Sequence, residues 1–185
     1  MWLSKKLILI GIGCMALCFG SCGGGKGDFT SGYFDIKPFV QQEAQHLAQQ
    51  NISVLKIAYL DGKEEKKQMQ FSLDAWQSEL APFNEADIDK PAFVQKYRVD
   101  TLTMDSSTCI SYTATEKHQR TRWMKVFFKD GKAFRTEAFL EADNPFYKSQ
   151  QTLVYDHTKG YSVTGSQDIL ILGKDNFKVE GQFIP

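Results

Sequence analysis

The apolar positions of this chain recur at helical spacing before residue 90 and alternate beyond it. Ile36, Phe39, Val40, Ala44 and Leu47 share one helical face, while Gln41, Gln42, Gln45 and Gln49 fall elsewhere. Asp35 is placed to cap such a helix, and Pro38 is tolerated in its first turn. The pattern predicts an amphipathic helix of about fifteen residues that packs on a sheet. A strand over 54–60, Asp61-Gly62 and a charged strand reaching Phe71 then read as a hairpin, because Asp-Gly supplies the positive φ of a tight turn. A second helix is expected from Ser72, with Leu73, Trp76, Leu80 and Phe83 spaced 3, 4 and 3. Pro82 marks its end.

From Phe93 onward the pattern predicts strands at 93–104, 108–115, 122–129, 132–141, 152–155, 161–165, 168–172 and 176–183. The last alternates most cleanly, Phe177, Val179, Gly181 and Phe183 against Lys178, Glu180 and Gln182. Turns are expected at Asp130-Gly131, Thr158-Lys159-Gly160 and Gly173-Lys174-Asp175, with a bend at Asn144-Pro145-Phe146-Tyr147. The strand at 122–129 is apolar on both faces, with Met124, Val126 and Phe128 on one and Trp123 and Phe127 on the other. Helices would cover one face; a second layer of a curved sheet, or a ligand, would cover the other. The expected class is α+β: one or two N-terminal helices packed on a large curved antiparallel β-sheet, with a half-open barrel as the limit of that curvature.

The first residues carry a different signal. Lys5 and Lys6 precede an unbroken apolar and small run over 7–19, thirteen residues long. As a helix it would span roughly 20 Å, short of a hydrocarbon core of about 30 Å, so a processed signal peptide fits better than a retained membrane span. Phe19-Gly20-Ser21-Cys22 resembles a bacterial lipobox, of a relaxed type because Phe19 stands where stricter versions have Leu. The resemblance implies lipidation of Cys22 with palmitate-type chains. The expected organisation is a lipoprotein signal peptide over 1–21, a flexible tether over 22–32 and one α+β domain over 33–185. Of the four cysteines, Cys14 and Cys18 leave with the signal and Cys22 is acylated, so Cys109 has no partner for an internal disulfide.

Composition narrows the function classes. Loss of Lys5 and Lys6 leaves 20 basic against 22 acidic residues, well mixed and without a basic stripe, so no nucleic-acid partner is expected. Gly20 to Lys26 matches the spacing of a phosphate loop, but Gly27 replaces the magnesium-binding hydroxyl and no strand precedes it. His46, His118 and His157 show no zinc spacing, and no nucleophile elbow is present. Cys109 lies mid-strand and reads as an inert buried thiol. Glu85, Asp87 and Asp89 read as a solvated acidic turn, since the central Gly and the later bidentate Glu of a calcium loop are missing. No catalytic residue, metal or cofactor is therefore expected.

Asp100-Thr101-Leu102 is similar to the short O-glycosylation motif of Bacteroidetes-type exported proteins. The stretch from Trp76 through Leu80, Phe83, Asp87 and Lys90 to Pro91, with Tyr97 beyond, resembles one recurring in uncharacterised Bacteroidetes-type envelope lipoproteins. These resemblances imply a protein held at the outer membrane by Cys22. Gly23 rather than Asp follows that cysteine, with no acidic run close by, which turns the expectation to the periplasmic face. The expected role is a non-enzymatic binding or assembly module whose partner is another envelope protein or an apolar ligand. The alternative is a carrier or shield for lipid or acyl groups, similar at fold level to the half-barrel proteins of lipoprotein localisation. It predicts an apolar cleft between sheet and helix lined by Trp76, Trp123 and Phe127. An enzyme built on Cys109 or the acidic turn is the remaining alternative.

Overall fold

A computed structural model describes residues 31–60, 63–170 and 173–184. The expected signal peptide, Cys22 and most of the expected tether lie outside the described residues, as does the Asp61-Gly62 turn.

The first helix, α1 (Ile36–Gln49), begins where Asp35 accepts from the Lys37 N–H. It buries Ile36, Phe39, Val40, Ala44 and Leu47 as the spacing predicts. The hairpin of β1 (Ser53–Leu60) and β2 (Lys63–Gln70) follows, then α2 (Leu73–Leu80), capped by the Ser72 hydroxyl. Pro82 does not stop the chain's helical path outright; a 3-10 segment continues over Ala81–Ala86 and keeps Phe83 on the buried side. After a short turn at Pro91–Phe93, seven strands run as an up-and-down meander. They are β3 (Tyr97–Met104), β4 (Ser107–Ala114), β5 (Thr121–Lys129), β6 (Lys132–Asn144), β7 (Tyr147–Asp156), β8 (Gly160–Ile169) and β9 (Gly173–Ile184).

All nine strands form one antiparallel sheet in the order β2-β1-β9-β8-β7-β6-β5-β4-β3. The first hairpin thus attaches beside the last strand. The sheet does not close into a barrel: β2 and β3 are free edges at opposite ends. The α+β class is as the pattern predicts.

Several boundaries differ. The segments expected at 161–165 and 168–172 are one strand, β8, and the expected turn at Gly173–Asp175 is the start of β9, with Ile169 opposite Gly173. Strand β7 starts five residues before the expected one, because its Tyr147–Gln151 half carries few apolar residues and is held by ladder hydrogen bonds on both sides. At the β5–β6 turn, Asp130 and Gly131 take φ of 51° and 75°, the left-handed pair that a two-residue hairpin needs.

The core lies between the helical layer and one face of the sheet. Trp76, Leu80, Phe83 and Ile88 pack there with Val54, Met124, Val126, Leu140 and Leu153, all 2% exposed or less. Gly181 is required in this layer: a Cβ there would sit 2.1 Å from Cε1 of Tyr161, whose ring lies over the glycine.

Candidate binding surfaces

Two kinds of polar feature join the helices to the sheet. Each helix projects one carboxylate onto a buried tyrosine. Glu43 of α1 accepts from the Tyr155 hydroxyl at 2.6 Å and from His157 Nδ1 at 2.7 Å, both on Oε2. Glu79 of α2 accepts from the Tyr161 hydroxyl at 2.6 Å and pairs with Lys56 at 2.7 Å. Burial first, and the neighbouring carboxylate second, push both phenols well above the ordinary tyrosine value. His46 stacks on His157 with ring centroids 4.7 Å apart. Beside Glu43 and His157 opens a cavity of about 760 Å³ between α1 and the β5–β6 turn, with Phe34, Phe39, Phe128 and Phe134 in its walls.

The acidic turn is solvated at Glu85 but not at its centre. Asp87 is 2% exposed and Ile88 is fully buried. Burial alone would raise the Asp87 carboxyl, but Lys37 at 2.7 Å, Lys90 at 3.6 Å and the Asp89 N–H outweigh it and hold the group below its usual range. Asp89 clamps the start of the described chain, accepting from Ser31 N and Oγ at 2.8 Å each and from Gly32 N at 3.1 Å. Glu85 pairs with Arg120. The three carboxylates tie the N-terminal segment, α1 and the β4–β5 loop together, and each has a named structural partner.

The opposite face of the sheet has no cover among the described residues. The register aligns Thr113, Trp123, Phe139, Thr152, Thr164, Lys178 and Tyr59 in one row across seven strands. Trp123 and Phe139 stack with centroids 6.2 Å apart and planes 24° apart. Rings on this face carry cations: Lys125 lies 5.5 Å from Trp123, Arg135 lies 5.9 Å from Phe127 and Lys178 lies 5.6 Å from Tyr59. Arg135 is held in turn by Glu137 at 2.7 Å and Asp156 at 3.1 Å. A shallow cleft of about 470 Å³ runs along the row, lined by Tyr59, Phe139, Gln150, Thr152, Thr164 and Lys178 among others.

The sheet separates the three residues expected to line one apolar cleft. Trp76 is fully buried on the helix-covered face, against Phe71 at 4.9 Å and Phe183 at 5.9 Å. Trp123 and Phe127 are half-buried on the other face, because Met124, Val126 and Phe128 between and beside them point to the helices. The cleft expected between sheet and helix is therefore not formed by this trio. Cys109, opposite Phe127, shares the uncovered face, and burial pushes its thiol above the ordinary value. His46 and His157 stand at α1, and His118 pairs with Glu116 at 2.9 Å in the β4–β5 loop, so no histidine joins Cys109. Among the described residues no three His, Cys, Asp or Glu side chains are grouped to hold a metal ion. Also among them, no helix is long and apolar enough to cross a membrane.

Glu43 was within reach of sequence reasoning. It lies four residues from both Phe39 and Leu47, in the middle of the apolar stripe, and a carboxylate there requires a buried donor. Its donors, Tyr155 and His157, are more than a hundred residues away and leave no local trace. Asp100, Thr101 and Leu102 all lie exposed on the edge strand β3. No family model matches this chain, and no curated protein or solved structure is found similar to it.

Proposed function

We propose that this chain is an envelope lipoprotein, anchored through Cys22 at the periplasmic side of the outer membrane, that acts as a non-enzymatic binding or assembly module. The observation that carries the binding role is the uncovered sheet face. Its aromatic row is half-buried, stacked and capped by cations, so it offers rigid apolar area with a polar rim, the composition of a protein-binding patch. On the covered side Glu43 and Glu79 already serve helix-to-sheet contacts, and the open face is left as the surface with unspent contact area. The anchor rests on the lipobox resemblance at Phe19–Cys22.

Two experiments test the reading. Cys22→Ala is expected to move the protein from the membrane fraction to the soluble periplasmic fraction; persistence on membranes after carbonate washing contradicts the anchor. A photo-crosslinking amino acid at Thr152 or Thr164 on the open face is expected to trap one discrete envelope protein. The same probe at Lys90, on the helical side, is expected to trap none. Equal adducts at both positions contradict the role of the open face.

A second reading, a carrier for acyl groups, is favoured by one feature: the aromatic-walled cavity beside Glu43. It predicts that protein purified from envelopes carries a fatty acyl ligand in native mass spectra, and that Phe39→Asp removes it. A ligand-free spectrum contradicts it.

A further inference from the structure

We propose that the edge strand β3 pairs with β3 of a second copy of this chain, antiparallel and centred on Thr101, to join two sheets into one.

The two edges of the sheet differ in kind. Strand β2 reads Lys-Glu-Glu-Lys-Lys-Gln-Met-Gln and presents charge along its exposed length, the usual guard against strand addition. Strand β3 is equally exposed but carries Val99 at 47%, Leu102 at 63% and Met104 at 40% exposure, with Thr101 and Thr103 between them. It has no lysine, proline or bulge.

Hydrogen bonds fix which main-chain groups are free. The Lys96 carbonyl accepts from Thr115 N and the Asp100 carbonyl from Ser111 Oγ, so even-numbered residues face β4. Tyr97 faces outward: its N–H donates to the Tyr33 hydroxyl at 3.2 Å, and that hydroxyl lies 3.3 Å from its carbonyl. By alternation the N–H and C=O groups of Val99, Thr101 and Thr103 also point off the sheet, with no strand beyond them among the described residues. Tyr33 closes the edge at one end, so the free stretch is short.

A second β3 satisfies that stretch in one register. Residues facing each other across a two-fold axis must share a face, which restricts the axis to a position beside a residue. Centring on Asp100 opposes two aspartates, and centring on Val99 places Thr101 against Tyr97, whose groups Tyr33 already occupies. Centring on Leu102 pairs Thr101 with Thr103 but leaves Val99 opposite Asp105 in the turn. Centring on Thr101 pairs Val99 with Thr103, Thr101 with itself and Thr103 with Val99. All the free edge groups are then used, in about six main-chain hydrogen bonds. On the other face Asp100 meets Leu102 and Arg98 meets Met104; the two Leu102 side chains become diagonal neighbours, as do the two Asp100 side chains, each neutralised by its own Arg98 at 2.9 Å. No like charges are opposed. The axis is perpendicular to the sheet, so both Ser31–Tyr33 segments lie on the same, helix-covered side, where two anchored copies can share one membrane. Confinement to that membrane raises the effective concentration of a contact this small.

The register gives the test. Full-length chains carrying Cys109→Ser and one introduced cysteine are expressed and lipidated normally, and isolated envelopes are oxidised without a spacer. In the proposed register Cα atoms of facing residues stand about 5.5 Å apart, within disulfide reach. Thr101→Cys is expected to give a disulfide dimer, and a mixture of Val99→Cys and Thr103→Cys copies a mixed one. Val99→Cys alone and Glu65→Cys on β2 are expected to give none. Thr101→Pro, which removes only an outward N–H, is expected to abolish the 99–103 adduct. Absence of the 101 dimer, self-adducts at 99, equal adducts at 65, an adduct to another protein, or a glycan mass on Thr101 each overturn the proposal. The anchored-module reading fails instead by fractionation of Cys22→Ala, so the two failures are distinguishable.

Discussion

Both faces of the sheet carry aromatic rings, the covered face many more, and they use them differently. On the covered face Trp76, Phe83, Tyr155 and Tyr161 are at most 5% exposed, and the two tyrosine hydroxyls are spent on Glu43 and Glu79. On the open face Trp123, Phe127, Phe139 and Tyr59 are half-buried and sit under or beside lysine and arginine. The difference teaches that aromatic content alone does not mark a core. What separates the faces is whether a ring's surroundings are filled from another element or only from neighbouring strands. The first kind of ring stabilises the fold; the second keeps contact area available to a partner.

The largest break in this comparison comes from matched tryptophans. Trp76→Ala opens a void in the helix–sheet core and is expected to cost about 3–5 kcal/mol in urea unfolding. Trp123→Ala loses one stacked neighbour and is expected to cost about 1 kcal/mol. Matched hydroxyls should follow with a smaller gap. Tyr155→Phe strips a donor from buried Glu43 and is expected to cost about 1–3 kcal/mol. Tyr59→Phe, on the open face, is expected to stay within about 0.5 kcal/mol.

Acid sharpens the same contrast, because the carboxyls of Asp87 and Asp156 are held below their unfolded values. For each, burial opposes the shift; Lys37 and Lys90 outweigh it at Asp87, and Thr158 with Arg135 at Asp156. Their contribution is therefore present above the unfolded carboxyl value, about 4, and lost as pH falls through the lower folded value. Asp87→Asn is expected to flatten the acid limb of a stability–pH curve relative to wild type. At the alkaline end Tyr97, pushed up to about 12 chiefly by burial, holds its proton longer when folded. Stability is expected to fall as pH rises above about 10, the unfolded tyrosine value, with tyrosinate absorbance appearing at unfolding.

Much of the architecture was legible from spacing. Helix α1 is read correctly from its cap, its proline and its stripe, all local quantities. The alternation of β9 is equally plain, and Gly181 within it is explained by the ring of Tyr161. The outer half of β7 and the joint in β8 were not legible, because glutamine, serine and threonine there are held by pairing on both sides rather than by a buried stripe. Charge partners at a distance were also invisible. The turn at Asp87 looks solvated until Lys37, fifty residues earlier, is brought onto it. The expected trio of Trp76, Trp123 and Phe127 fails for a reason the pattern did contain: once Met124, Val126 and Phe128 face the helices, their neighbours in β5 cannot.

The most direct test of the central claim is a double substitution on the open face, Trp123→Thr with Phe139→Thr, measured at once for stability and for the Thr152 photo-adduct. The expected result is loss of the adduct with a destabilisation of about 1–2 kcal/mol, well short of that of Trp76→Ala. A chain destabilised as severely as Trp76→Ala, or one that keeps its adduct at full yield, would contradict it.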